Sequence, residues 1–385
     1  MPEADDEVRA PSPAVVEALL TKLWHAPVAI ERWERQKPWS VARVHLKGAA
    51  APPTAVVKWM RGYSDLGRTE SWRLRLEPAA LRFLADDLGL SLAPRVLAAD
   101  LDAGFFVLED LAPRVALDRL IRRDGFDAHI DRLIAFARLL GELGAATSGA
   151  VAALGARPDT LARLVSAADP LAAFPAELDE ACRHAAALGT PVTSAASREL
   201  VAVVDELRAP GPFLSLTNGD AESNNVLVHA SGPADARLID FESTAFTHAL
   251  LSAVCLYVPG PGWLSVGDPV ATGLADHYRR ALAGGVPEAQ DDRRYGYGLA
   301  AACVWWAMRR LQRFGKLDGR GPGDKSRLQL VETLEAAART ANAYRALPHL
   351  AGWLCATAER LRHRWADADL DFTDPDAFPP YSPRH

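Results

Sequence analysis

The chain has 385 residues, 49% of them hydrophobic and 24% charged, with 43 Lys and Arg against 49 Asp and Glu and a formal net charge of -6. That composition suits a folded globular protein of two to three domains with a large core. The acidic balance argues against a dedicated nucleic-acid binder. No run approaches the roughly 20 apolar residues of a membrane span, and the acidic start Met-Pro-Glu-Ala-Asp-Asp-Glu has no apolar signal core. A cytoplasmic protein without a membrane partner is the expectation. The four cysteines, Cys182, Cys255, Cys303 and Cys355, form no Cys-x-x-Cys motif and are expected to be buried thiols.

In chain order, the first ten residues are polar. Ser12 as N-cap and Pro13 at the first helical position predict a helix over Pro13–Trp24. Alternation and β-branched residues predict strands over Val28–Arg35, Ser40–Leu46 and Thr54–Met60, with turns at Lys37-Pro38 and Gly48–Pro53. A helix is expected over Ser71–Leu88, with Leu76, Ala80, Leu81 and Leu84 on its apolar face. Strands at Arg95–Ala99 and Phe105–Glu109 complete a β-rich N-terminal lobe, residues 1–109.

From residue 110 to 385 the character is helical. Segments with helical periodicity cover Val115–Arg123, Asp127–Ala146, Thr160–Ala167, Ala176–Ala187 and Ser194–Leu207. One β-type interlude follows, at Phe213–Leu216, Asn225–His229 and Arg237–Ile239. Helices resume over Leu250–Arg362, with loops at Pro259–Pro269, Gly284–Asp291 and Gly315–Lys325. The Asp- and Pro-rich end, Asp367–His385, reads as a loose tail. The fold class is α+β: a small β-rich lobe followed by a large, mostly helical one.

The interlude carries the chemistry. Thr217-Asn218-Gly219-Asp220-Ala221-Glu222-Ser223-Asn224-Asn225 runs into one strand, and Leu238-Ile239-Asp240-Phe241 ends the next. A hairpin would set Asn225 beside Asp240, just past a loop presenting Asp220. Phosphoryl transfer needs a carboxylate to orient the attacking hydroxyl and oxygen ligands for the metal that neutralises the triphosphate.

Gly219, Asp220, Asn225, Ile239, Asp240 and Phe241 match the pattern Gly-Asp, four residues, Asn, then Ile-Asp-Phe. In this the chain resembles the aminoglycoside phosphotransferases, with their protein-kinase-like fold. The resemblance covers roughly Val28 to Leu256. It implies Asp220 as catalytic base, and Asn225, also part of the catalytic loop, and Asp240 as ligands of Mg2+. The nucleotide would be ATP, with GTP as the other choice.

Lys58, ending an apolar strand, resembles the lysine that reaches the α- and β-phosphates, and Glu77 the glutamate that holds it. Glu109 and Leu111 resemble the crossing between lobes whose backbone binds adenine. The phosphate-covering loop, Gln36 to Ser40, lacks glycines, and Ser40 with backbone groups would substitute. Three further departures stand out: Asn218 replaces the family's histidine, Ser252 stands where a bracing aspartate is usual, and Glu222 follows the base by two residues. The resemblance implies a small-molecule hydroxyl as phosphate acceptor, an antibiotic or natural product such as an aminoglycoside. Alternatives are a sugar or amino alcohol of primary metabolism, or a catalytically silent binding protein. A monomer or homodimer is expected.

Gly319-Arg320-Gly321-Pro322-Gly323-Asp324-Lys325-Ser326 looks like a phosphate loop but follows a helix, so an interhelical loop is expected. The ten histidines show no metal-ligand spacing. Trp305, Trp306, Tyr295 and Tyr297 are core residues or the lining of an acceptor pocket.

Overall fold

Period-2 alternation places Ala55, Val57 and Trp59 on one face of their strand, and Val56 and Lys58 on the other. In the computed structural model, which describes residues 10–36, 40–59, 71–150 and 171–384, that strand is the centre of a five-stranded antiparallel sheet. The strands are β1 (Ala29–Arg35), β2 (Val41–Lys47), β3 (Thr54–Trp59), β4 (Val96–Asp100) and β5 (Phe105–Glu109), in the order β1-β2-β3-β5-β4. One face packs on helix α1 (Pro13–Trp24), where Val16 and Leu20 meet Val44, Val57, Trp59 and Phe105. The other face carries Val56, Phe106 and Leu108 and packs on helix α2 (Ser71–Arg82) and the large helical core beyond. Lys58 belongs to this second face, paired with Phe106 across β5. Its direction therefore follows from strand register alone.

Leu76, Ala80, Leu81 and Leu84 are buried as the periodicity required. The helix ends sooner than expected, continuing as a single wide turn over Phe83–Asp87. Met60, the Lys37-Pro38 turn and the Thr160–Ala167 helix lie outside the described residues.

The second lobe begins with a short strand β6 (Val115–Ala116), then α3 (Leu117–Asp124) and α4 (Ile130–Thr147). After α5 (Phe174–Ala187) and α6 (Ser194–Arg208) come β7 (Leu214–Thr217), β8 (Val226–Val228), β9 (Ala236–Leu238) and β10 (Ala245–His248). The interlude is thus two small sheets, β6-β8-β9 and β7-β10. Expected strand Asn225–His229 is shorter, because Asn225 closes a turn over Ser223–Asn225. The remaining elements are α7 (Val254–Tyr257), β11 (Trp263–Ser265), α8 (Leu274–Ala283), α9 (Asp292–Leu311), α10 (Phe314–Asp318), α11 (Lys325–Ala343), α12 (Pro348–Arg364) and β12 (Ser382–Pro383). Helices α9, α11 and α12 pack around an Ala- and Leu-rich core. This is a two-lobed α+β arrangement, a five-stranded antiparallel sheet with its helices followed by a large, mostly helical lobe.

Two expectations are corrected. The C-terminal segment is docked, not loose. Tyr381 is 3% exposed, stacks on Phe126 at 6.1 Å and meets Trp263 edge-on at 5.3 Å. Phe372 packs on Phe378, and β12 pairs with β11. Its aspartates cap turns, as Asp371 does for Thr373 and Asp374 for Asp376; Asp and Pro here mark turns between apolar anchors. The cysteines are free, but only Cys255 and Cys303 are buried. Cys182 is half-buried and Cys355 exposed on α12, since an alanine-rich helix hides a small side chain only on its inner face. Among the described residues no helix is long and apolar enough to cross a membrane.

Candidate active site

Strand β3 and helix α2 bring Lys58 and Glu77 together, at 2.5 Å between Nζ and Oε2. Lys58 also donates to Asp240 Oδ1 at 2.8 Å, across a sequence separation of 182 residues. One ammonium thus ties the sheet, the helix and the second lobe. Glu77 is 2% exposed. Burial works against the Lys58 charge, yet the carboxylates of Glu77 and Asp240 outweigh it and hold its pKa above the ordinary lysine range.

Asp240 ends the β9 side of the hairpin in a left-handed conformation, φ 65°, unusual for a residue with a side chain. The β8–β9 register sets Val226 opposite Leu238, and Ile239 N–H donates to Asn225 O at 2.9 Å. Asn225 and Asp240 are thereby neighbours, as the hairpin reading required.

The loop carrying Asp220 is tied by its own side chains. Asn225 Nδ2 donates to the carbonyl and to Oδ2 of Asp220, both at 2.9 Å. Asn218, wholly buried, donates to the carbonyls of Ile239 and Asp240 at 3.0 and 2.9 Å and accepts from Asp220 N–H at 3.0 Å. Asparagine therefore braces both loops where the family pattern has histidine. Ser252 is buried, and its carbonyl accepts from the Cys255 thiol. Bracing comes instead from Asn218 and from Thr244, whose hydroxyl donates to Thr217 O at 2.7 Å. Gly219, at φ 82°, lets the loop press on Ser243: a Cβ there would stand 2.0 Å from the Ser243 carbonyl oxygen. Burial raises the Asp220 pKa, Asn225 opposes that, and Asp240 adds to it.

Glu222 sits beside the base and against Gly260, where any Cβ would fall 1.9 Å from its Oε1. Burial pushes its pKa up to about 8, Asp220 adding to the shift and Arg310 opposing it. Near neutral pH this carboxyl is mostly protonated. That weakens the repulsion a Glu222 carboxylate would otherwise exert on a nearby phosphate.

At the lobe crossing, Glu109 N–H donates to Arg95 O and its carboxylate accepts from Arg95. Leu111 is buried, and its carbonyl accepts from Arg114 N–H. Asp110, which carried no signal in the sequence, accepts from Arg43 Nε and Nη2 at 2.8 and 3.1 Å and also caps Ala112 N–H. This bidentate pair fastens the crossing to β2. Ser40 is buried at the head of β2, its carbonyl accepting from Trp59 N–H; most of the loop before it is outside the described residues.

Tyr295 is core, fully buried. Trp306 is half-buried and donates to Pro259 O at 3.3 Å, next to the Gly260 loop. The phosphate-loop look-alike joins α10 to α11, with Asp324 capping the latter.

Oxygen ligands from Asn225 and Asp240 suit a hard cation that shares phosphate oxygens and waters. Among the described residues no group of three or more His, Cys, Asp or Glu side chains could hold a metal. A cation here would therefore depend on the nucleotide for the rest of its shell.

No protein-family model and no curated protein matches the chain. Solved structures of similar fold include the choline kinase LicA from Streptococcus pneumoniae, at 13% identity over 85% of this chain and 98% of that one, TM-score 0.44. Another is the macrolide 2'-phosphotransferase MphH from Brachybacterium faecium, at 14% identity over 83% and 97%, TM-score 0.47. A third is the aminoglycoside phosphotransferase APH(2'')-Ib bound to ADP, at 12% identity over 86% and 99%, TM-score 0.45. Likenesses at this level assign no activity to the chain.

Proposed function

We propose that the chain is an ATP-dependent O-phosphotransferase acting on the hydroxyl of a small molecule. The observation that carries this reading is the Lys58 bridge to Glu77 and Asp240, with Asp220 and Asn225 joined beside it. A cation held by two carboxylates, with a further carboxylate, Asp220, close enough to feel the charge of Asp240, supplies the parts that direct phosphoryl transfer requires.

Lys58 orients the α- and β-phosphates as a point charge. Asn225 and the Asp240 carboxylate would hold magnesium, which supplies neutralisation of phosphate charge when bound with the nucleotide. Asp220 accepts a hydrogen bond from the acceptor hydroxyl and takes its proton as the new oxygen–phosphorus bond forms and ADP leaves. Its raised pKa suits a group that must hold a proton briefly. Asn225 donates to the far oxygen of Asp220 and so fixes which oxygen faces the acceptor.

The acceptor class we favour is a natural-product or antibiotic hydroxyl, with a sugar or amino alcohol second. The retained bracing by Asn218 favours an active enzyme over a silent relative. Phosphate transfer from labelled ATP to a panel of hydroxylated compounds tests the reading. Asp220→Asn should lower turnover at least about a hundredfold, with ATP binding little changed. Equal turnover in that variant would remove Asp220 from the mechanism.

A further inference from the structure

The loop from Asp220 to Asn225 is held by an aromatic side chain as well as by its own residues. Trp263, at the start of β11, is 2% exposed, and its indole N–H donates to the hydroxyl of Ser223 at 3.0 Å. Ser223 is itself 3% exposed. An indole nitrogen can only donate, and a buried donor stripped of its acceptor is costly, so each group fixes the other. Ser223 begins the single turn Ser223–Asn225, and Asn225 donates to both the carbonyl and the carboxylate of Asp220. Two backbone bonds complete the loop, from Glu222 N–H to Asp220 O and from Asn225 N–H to Glu222 O, each at 2.9 Å. The Trp263–Ser223 bond therefore anchors the stretch that sets Asp220 and Asn225 relative to each other.

Trp263 is clamped in turn. Arg122, on α3, lies over the indole at 4.7 Å from the ring centroid and donates to Gly262 O at 2.7 Å. Gln329, on α11, donates to Trp263 O. The third support is the docked C-terminal segment. Tyr381 meets the indole edge-on at 5.3 Å, Pro383 is paired with Trp263 between β12 and β11, and Arg384 N–H donates to Gly262 O at 3.1 Å. Tyr381 sits at φ 58°, a conformation that a residue with a side chain keeps only where its surroundings hold it there. Contacts thus run from Tyr381 through Trp263 to Ser223 without a gap.

We propose that Trp263 is a positioning residue for the loop that carries Asp220, and that the C-terminal segment seated on it keeps it in place. Its effect on turnover rests on the phosphotransferase reading above; its hold on the loop does not.

Trp263→Phe keeps an aromatic ring and removes the donor, and Ser223→Ala removes the acceptor. Both variants and their combination are compared with the native full chain, in magnesium with a non-hydrolysable ATP analogue, by hydrogen exchange of peptides covering residues 219–226. Exchange at least about threefold faster than native is expected in each single variant. The double variant should be no faster than the faster single, and peptides from β2 and β3 should keep the native rate. Tyr381→Ala should loosen the same loop through Trp263. Thermal melting reports which variants are folded, and Ser223→Ala, which removes one oxygen atom, decides if Trp263→Phe is not. Native exchange in folded Ser223→Ala, or effects that multiply in the double variant, overturn the inference. In a second arm, phosphate release from ATP is followed with water as acceptor. We expect kcat to fall at least about fivefold in each single variant and no further in the double, with the KM for ATP changing less than kcat. Native kcat in variants whose loop exchanges faster overturns the positioning role. A native chain that binds magnesium-ATP but releases no phosphate would count against the phosphotransferase reading, while the exchange rates still judge Trp263.

Discussion

Lys58 holds two carboxylates in very different surroundings, and that difference sets the size of a testable effect. The Glu77 side chain is 3% exposed and that of Asp240 35%. Lys58→Met would leave Glu77 without its cation in a dry interface. Breaking a buried ion pair from one side costs about 3–5 kcal/mol, and protonation of Glu77 brings this toward the lower figure. The Asp240 arm adds little, since a third-exposed pair is worth about 0–1 kcal/mol. Glu77→Gln should cost less, about 1–3 kcal/mol, because Lys58 keeps Asp240 as partner. In Lys58→Met with Glu77→Gln the stranded charge is gone. The double variant should then be more stable than the summed losses imply, with a coupling of about 2 kcal/mol. Urea unfolding at pH 7.5, read from the tryptophans of the sheet, measures all four corners of the cycle. Losses that add to within about 0.5 kcal/mol would refute the claim that the two side chains act as a buried pair.

Three other outcomes follow from named contacts. Asn218→Ala strands the carbonyls of Ile239 and Asp240 and should cost about 1–3 kcal/mol in stability, along with magnesium-ATP affinity; Asn218→His should recover part of both, and calorimetry with melting curves decides. Gly260→Ala forces a methyl into Glu222 and should raise the acceptor KM while that for ATP stays constant, which steady-state kinetics would show. Glu332 is buried on α11 with Arg339 as partner, and burial raises its pKa to about 7. The folded chain therefore binds a proton that the unfolded chain releases, and stability falls as pH rises from about 4.5 to about 7. Melting of Glu332→Gln against the native chain should turn in the variant's favour across that interval; a pH-independent difference would contradict the shift.

Much of the site was legible because it is local. Asp220, Asn225 and Asp240 lie within 21 residues of one another, and hairpin register brings Asn225 and Asp240 together. Lys58 was legible from strand alternation, which points it to the face shared with Val56. Residues that act across long separations gave no such signal. Arg43 reaches Asp110 over 67 positions, and Arg310 meets Gln329 only through helix packing. The C-terminal segment was misread because Asp and Pro mark both loose tails and tight turns. What distinguishes them is the spacing of Phe372, Phe378 and Tyr381, each an aromatic anchor between turns. The extra sheet β7-β10 was missed because Ala245–His248 is too short to show a period.

Nucleotide binding with its metal at Lys58 and Asp240 is the property on which the proposed chemistry depends. Calorimetry of ATP binding with and without magnesium, on the native chain and on Asp240→Ala, measures this. Saturable binding that requires magnesium and falls at least about tenfold in the variant is expected. Absence of ATP binding by the native chain, or binding indifferent to both magnesium and Asp240, would contradict it.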